Sequence, residues 1–366
     1  MEIRNIPAMV FHKLKGDYPQ YREELAVVSR HHGFYQKDKF LLEKREYPLI
    51  TDDEFRQIKE TWPCFRYFGQ NDLTWYRIYK KEHGFSPYFV DALQIKYILE
   101  KFNPFHQVIS LENKAMGDVY FPEIPFPEVY VRCLNGVLYD RTMNRLTLEE
   151  AIKVLNGKES FIIKPSIDSL CGSGVEKVVV IDLDDQNERL KEVIVRAGDN
   201  FIAQECLKQE SVVSGMNPTS INCCRITTIY MNGKFSYSSM LKVGKMGSHV
   251  DNWHSSYLIG MNKEGVLLSH GYDNKLNKTF KTDNGIEFGG IMVPHFGKMV
   301  ELVEKCHKYY FANCGVIGWD IMIDSNNNPR VLEMNISCPG VVGEQLASGT
   351  FFEEFRDEIC KSLLKK

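Results

Sequence analysis

The chain of 366 residues has no run of about 18 apolar residues, so no membrane-spanning helix is expected. Its opening stretch, MEIRNIPAMVFHKLKGDY, lacks the apolar core of a secretory signal. It has no C-x-x-C pair. Its ten cysteines, at 64, 133, 171, 206, 223, 224, 306, 314, 338 and 360, show no metal-binding spacing. Several lie in apolar runs, where a free thiol packs as a small hydrophobe. Together these absences point to a reducing, cytoplasmic compartment. A formal net charge of −3 leaves no broad basic field for nucleic acid. There is no phosphate loop of the form G-x-x-x-x-G-K-[ST] and no dinucleotide fingerprint, so the two commonest nucleotide signatures are excluded. Internal repeats and low-complexity segments are also missing. With 43% apolar and 25% charged residues, what remains is an ordinary globular chain, long enough for two or three structural units.

The densest information lies at 316–340, VIGWDIMIDSNNNPRVLEMNISCPG. Two β-favouring apolar runs flank a turn made of Asp324, Ser325, three asparagines and Pro329. The pattern predicts a hairpin with strands near 317–323 and 330–336. Side chains alternate along a strand, so Glu333 and Asn335 share a face. Closure near Asn326 and Asn327 sets Asp320 opposite Glu333. Three hard oxygen ligands then converge. Mg²⁺ prefers such ligands and completes its shell with waters and nucleotide phosphates. The acids sit among Ile321, Ile323, Val331, Leu332 and Met334, where an unpaired carboxylate would be costly.

Upstream, residues 1–114 read as a helical region. Thr51 followed by Asp52, Asp53 and Glu54 marks a helix start. A second helix is expected to begin at Ser86-Pro87. The aromatics Trp62, Phe65, Tyr67, Phe68, Trp75 and Tyr76 are expected mainly as core. A boundary falls near 115–145, where proline-rich extended chain takes over and Asn135-Gly136 marks a hairpin turn. A short helix is expected over 146–157. From 158 onward strands dominate, broken by a helix at roughly 294–313 and followed by a C-terminal helix at about 350–364. The division is 1–114, 115–210 and 211–366, an α+β arrangement.

Three further segments carry candidate chemistry. In 161–181, Lys164 ends a strand before Pro165, and Gly172-Ser173-Gly174 follow. A lysine there can reach phosphate oxygens, and glycines let backbone N–H groups approach them. In 200–210, an apolar strand ends in Gln-Glu-x-Leu, suited to the edge and face of adenine, and Gln209 or Glu210 could hold ribose hydroxyls. In 220–265, Arg225 lies within an apolar strand and needs an anion or a paired acid. Lys242, Lys245, His249, Asp251 and Asn252 follow. Taken singly, each resembles an ordinary loop or strand end.

In order, these parts resemble the ATP-grasp superfamily: lysine in I-K-P, a glycine-rich loop, a Q-E-x-L hinge, a strand arginine, and a late Asp…Glu-x-Asn. INCCRITT, LKVGKMGSHVDN and GWDIMID…PRVLEMN resemble its sugar-transfer-associated branch. The resemblance covers about 115–345 and implies an ATP-grasp fold with ATP and Mg²⁺ as cofactors. It implies that Lys164 contacts phosphates and that Gly172, Ser173 and Gly174 form a flap. Glu205 and Leu207 would sit at the adenine hinge. Arg225 and Lys242 would face the triphosphate or an acyl-phosphate, and Asp320, Glu333 and Asn335 would bind Mg²⁺. Relatives carry a second nucleotide lysine, for which Lys114 and Arg132 are both candidates. The implied activity is carboxylate–amine ligation through an acyl-phosphate, on small carboxylate and amine substrates of surface-polysaccharide assembly, sugar-linked ones included. A kinase using His249 or Asp251 as base and a non-catalytic nucleotide-binding module are the alternatives. A homodimer is left open.

Overall fold

A computed structural model describes residues 6–16, 18–31, 42, 45–70, 73–167, 174–182, 185–248 and 255–364. Its framework is two antiparallel sheets. The smaller has the order β3-β2-β1-β6-β4-β5, formed by Arg145–Leu146, Val137–Tyr139, Val129–Leu134, Phe201–Glu205, Ser160–Pro165 and Glu176–Val179. The larger has the order β11-β10-β9-β8-β7-β12-β13. These strands are Lys278–Thr279, Leu267–Tyr272, Ser256–Met261, Lys234–Gly244, Cys224–Met231, Val316–Ile323 and Pro329–Asn335.

Alternation along the strands of the smaller sheet decides which face carries chemistry. Val131, Phe161, Ile163, Phe201 and Ala203 point one way. There they pack against Ala151 and Leu155 of the helix Leu148–Asn156 and Leu190, Val193 and Ile194 of the helix Gln186–Ala197. Lys164, Ile202 and Gln204 therefore point the other way. A register shift between Val129 and Val131 lets Val129 join Ile202 on this second face. The helix Gln186–Ala197 corrects the all-strand reading of this region. Its apolar residues at i, i+3 and i+4 outweigh the β-branched content around it.

The predicted hairpin forms within a residue of its expected ends, and Asp320 pairs with Glu333. The turn closes with the Asn327 N–H on the Asp324 carbonyl, and Asn327 is left-handed. Leu332 is an extra residue between two register pairs, a bulge beside Glu333.

Capping settles the helical region. Thr51 and Glu54 bond each other's backbone in a capping box, as the sequence predicts. The helix expected at Ser86 starts instead at Ala92. The Asp91 N–H donates to Gln94 Oε1, while the Asp91 carboxylate accepts from Trp75 N at 2.7 Å, in the first turn of the preceding helix Thr74–His83. Residues 86–90 connect the two through a turn at Pro87 and Tyr88. Trp62, Phe65, Phe68, Trp75 and Tyr76 are buried in one core with Phe352, Phe355, Ile359 and Cys360 from the C-terminal end. Among the described residues no helix is long and apolar enough to cross a membrane.

Beneath the larger sheet, the helix Phe296–Tyr310 delivers His307 to a buried polar chain. Trp319 Nε1 donates to Thr228 Oγ1 at 2.9 Å, the Thr228 hydroxyl donates to His307 Nδ1 at 2.7 Å, and His307 Nε2 donates to the Cys314 carbonyl at 2.8 Å. The chain ties β7 to β12 directly behind Asp320. Burial pushes the His307 pKa down to about 4, from an ordinary 6.5. The neutral folded form therefore resists protonation that the unfolded chain accepts, and stability falls as pH drops from about 6.5 towards about 4. Going from pH 7 to pH 5, this group alone removes about 2 kcal/mol. Urea unfolding at the two pH values should show that extra loss in the native protein and not in His307→Gln; equal losses in both would remove the assignment.

Candidate functional site

One rung of the larger sheet carries the charge. Met240, Arg225, Asp320 and Glu333 are direct cross-strand partners on β8, β7, β12 and β13. Arg225 grips Asp320 through two bonds, Nε to Oδ1 at 2.7 Å and Nη2 to Oδ2 at 2.9 Å. Lys242, two residues beyond Met240 on the same face, reaches Oδ1 at 3.1 Å. Asn335 Nδ2 donates to Oδ2 at 3.3 Å. Burial would raise the Asp320 pKa, but Arg225 and Lys242 outweigh it and hold the carboxyl well below the usual range.

The next rung on that face is Ser238, Thr227, Gly318 and Asn335. Glu344 lies over it, accepting from Thr227 Oγ1 at 3.0 Å and Ser238 Oγ at 2.8 Å. Burial pushes its pKa up to about 7. The loop 337–340 crosses Gly318, where a side chain would strike the Pro339 carbonyl. That carbonyl accepts from Arg225 Nη1 at 2.9 Å. Gly340 is left-handed at φ 84°, and a Cβ there would lie 2.6 Å from Arg225 Nη1, so glycine is required twice over. The helix Val341–Ser348 starts here and was not expected from sequence.

The smaller sheet faces this rung across a cleft of about 430 Å³. Lys114 and Lys164 stand on the near wall with Ile202, Gln204 and Val129; Leu332, Glu333 and Met334 form the far wall. Lys114 Nζ is 3.0 Å from Glu333 Oε1. Burial brings Lys164 down to about 8 against the pull of Glu333 and Asp320, and the nearby Lys114 lowers it further. Arg132, the other candidate for a second nucleotide cation, is fully buried and spent on Asp118 at 2.9 and 2.7 Å. Of the two, Lys114 is the one that lines the cleft.

Among the remaining sequence candidates, Gly174 has φ 76° and lies against Pro165, where a Cβ would fall 2.8 Å from Cγ. Gly172, Ser173, His249, Asp251 and Asn252 lie outside the described residues. Glu205 is bound by Arg330 Nη2 at 2.8 Å and the Glu128 N–H at 3.2 Å. Glu210 caps the helix Ser211–Met216 through the Val212 and Val213 N–H groups. Gln209 bonds the backbone of Asn222 on both sides of its amide. Leu207 is half-buried, and neither it nor Glu210 lines the cleft. Lys245 lies 3.5 Å from Asp273. Sequence reasoning included Gln204 only as part of the Gln-Glu-x-Leu end, and it missed Glu112, which anchors the Ser337 N–H and hydroxyl at 2.7 Å each. Gln204 sits one residue before Glu205, and strand alternation alone would have turned it toward the cleft.

The donor set can be tested against Mg²⁺. A carboxylate offers about four lone-pair positions. Four donors already occupy those of Asp320: Arg225 twice, Lys242 and Asn335. Glu333 Oε2 and Asn335 Oδ1 accept no hydrogen bond from a described residue, and both are hard oxygens on one face. A Mg²⁺ ion that retains several waters fits them. Asp320 would join them only by giving up its Lys242 or Asn335 contact. No cluster of three or more His, Cys, Asp or Glu side chains poised for a metal occurs among the described residues.

Two antiparallel sheets closing on such a cleft form an ATP-grasp fold. Residues 93–361 match the family profile described as sugar-transfer associated ATP-grasp, and the chain belongs to that family. Among solved structures it is similar to a D-alanyl-alanine synthetase A from Vibrio cholerae, at 12% identity and TM-score 0.42, over 69% of this chain and 65% of that one. A carboxyaminoimidazole ribonucleotide synthase from Aspergillus clavatus, complexed with ATP, gives 12% and 0.37 over 61% and 44%. D-cycloserine synthetase gives 13% and 0.43 over 71% and 72%. The chain thus spans less than two thirds of the first two proteins. No curated sequence matches significantly.

The two acids should behave differently on neutralisation. Asp320→Asn leaves Arg225 and Lys242 buried without their counter-charge and should cost about 3 kcal/mol or more. Glu333, about a third exposed, should cost under about 1 kcal/mol as Glu333→Gln. Urea midpoints at neutral pH measure both; similar losses would mean that Asp320 does not anchor the rung.

Proposed function

We propose that the protein is an ADP-forming, ATP-dependent carboxylate–amine ligase. The observation that carries this is the meeting of Lys164 from one sheet and Lys114 from the turn beside it with Glu333 from the other sheet, across one cleft. A triphosphate needs that combination: cations for its oxygens and hard ligands for its metal. The apolar wall of Ile202, Val129, Leu332 and Met334 suits an adenine ring, with Gln204 beside it. In this reading residues 1–114 are a helical region, 115–210 carry the flap side, and 211–366 carry the metal hairpin.

The chemistry asks little covalent work of the protein. A substrate carboxylate oxygen attacks the γ-phosphorus of ATP, the bond to the β-phosphate oxygen breaks, and ADP leaves. An amine then attacks the acyl carbon and expels phosphate. Lys114 and Lys164 hold the phosphates in line. Arg225 and Lys242, fixed by Asp320, set positive charge where the acyl-phosphate forms. Asp320, Glu333 and Asn335 would hold Mg²⁺, which when bound neutralises phosphate charge. The acceptor reading is an amine or amino acid joined to a sugar acid in surface-polysaccharide assembly, in the cytoplasm. Family membership supports the sugar association, and the two-sheet cleft supports the nucleotide.

Incubation with Mg·ATP and pooled amino acids, uronic acids and sugar nucleotides should yield ADP and free phosphate in equal amounts, only when carboxylate and amine are both present. Glu333→Gln should lower turnover at least about 100-fold. ADP without free phosphate would replace the ligase with a kinase. A separate titration tests the cations. Lys114→Ala and Lys164→Ala should each weaken ATP binding about 10-fold and leave adenosine within about twofold. Equal loss for both ligands would show that these lysines do not bind phosphate.

A further inference from the structure

Away from the cleft, the helical region meets the C-terminal helix along a seam that holds two thiols together. Cys64 follows the helix Asp52–Thr61, and Cys360 lies on the helix Arg356–Leu364. Their sulfurs are 3.0 Å apart although 296 residues separate them in sequence. Cys64 is fully buried and Cys360 is 6% exposed, at the edge of the same core. Both sides of the seam are pinned. Gln20 Nε2 donates to the Cys64 carbonyl at 3.0 Å. One turn before Cys360, Arg356 donates to the Thr61 carbonyl at 2.6 Å and the Glu60 carbonyl at 3.3 Å. The thiols thus face each other at a fixed junction, and closing to a bonded length of about 2.05 Å takes about 1 Å of movement.

We propose that Cys64 and Cys360 form an oxidation site, closed to a disulfide by hydrogen peroxide, that staples the helical region to the C-terminal helix. Cys360 attacks one peroxide oxygen. The O–O bond breaks, hydroxide takes up a proton and leaves as water, and Cys360 becomes a sulfenic acid. The Cys64 sulfur then attacks the Cys360 sulfur, the S–O bond breaks, and a second water leaves with the Cys64 proton. Two thiols lose two electrons, and one peroxide becomes two waters. The nearby Arg356 favours Cys360 as the sulfur that reacts first, and it is the less buried of the two.

The test uses the full chain. After mild hydrogen peroxide, denaturation and thiol alkylation, Cys64 and Cys360 should escape alkylation, beside any oxidised Cys338. Peptide mapping should recover Cys64 joined to Cys360, and the linked protein should be about 2 Da lighter. Its melting temperature should rise by a few degrees and return on treatment with dithiothreitol. Cys360→Ser and Cys64→Ala should each abolish the linked peptide and the rise. Exposed Cys338 reports that the oxidant worked. Should Cys338 be oxidised while Cys64 and Cys360 are still alkylated, or be found joined to other cysteines, the proposal is overturned; the mapping on the unsubstituted protein decides this even if a variant misfolds.

Discussion

The ion cluster around Asp320 governs the arrangement of the larger sheet. A carboxylate placed in the middle of a fully buried strand is tolerated only with strong partners. Here they come from the same side of β12: Arg225 directly across on β7, and Lys242 from β8 beyond it. A one-residue slip of β12 against β7 would send Asp320 to the opposite face, among Trp319 and Ile317, and strand both cations. The cluster therefore selects one register for four strands. That register puts Glu333 and Asn335 on the cleft side. The proposed metal ligands and the structural charge are fixed by the same pairing.

From this rung the constraint spreads outward. Arg225 uses its remaining nitrogen on the Pro339 carbonyl, which fixes the loop leaving the hairpin and the start of the helix Val341–Ser348. That helix is in turn gripped by the helical region. Gln345 is fully buried and bonds both the N–H and the carbonyl of Val90, at 3.1 and 2.8 Å, while His83 bonds the Leu346 carbonyl at 2.8 Å. Residues 1–114 thus brace the element that closes the site from behind, and their aromatics serve as its core.

The hairpin was legible because everything that defines it is local: apolar alternation, an Asn-rich turn and register counted from that turn. The turn-side pairs run one residue off that count, with Ile323 opposite Pro329, and the extra residue Leu332 makes up the difference, so Asp320 still meets Glu333. The choice between Lys114 and Arg132 was not local. It depends on which cation the packing of two sheets brings to Glu333, and on Asp118 being at hand to occupy Arg132. The helix Val341–Ser348 was hidden for a related reason. Flanked by glycines and short, it has little helical signal of its own, and Gln345 and Glu344 gain their partners only after the sheet and the helical region have met it.

The same division explains the adenine-side residues. Glu205, Gln209 and Glu210 carry the polar groups that a sequence reader matches to a nucleotide, yet each has a structural partner: Arg330, the Asn222 backbone and a helix N-terminus. A buried or half-buried polar group is stable only when satisfied, and the protein satisfies these from within. Lys114, Lys164 and Glu333 differ. Lys114 pairs with Glu333 across the cleft, and Lys164 is held down by burial beside a second cation. Glu112 and Asp118 share the lining, but Asp118 is spent on Arg132 and Glu112 on the Ser337 N–H and hydroxyl, so the charges that face each other across the cleft are the two lysines and Glu333. Those are the groups that a phosphate chain and its metal would meet under the proposed function.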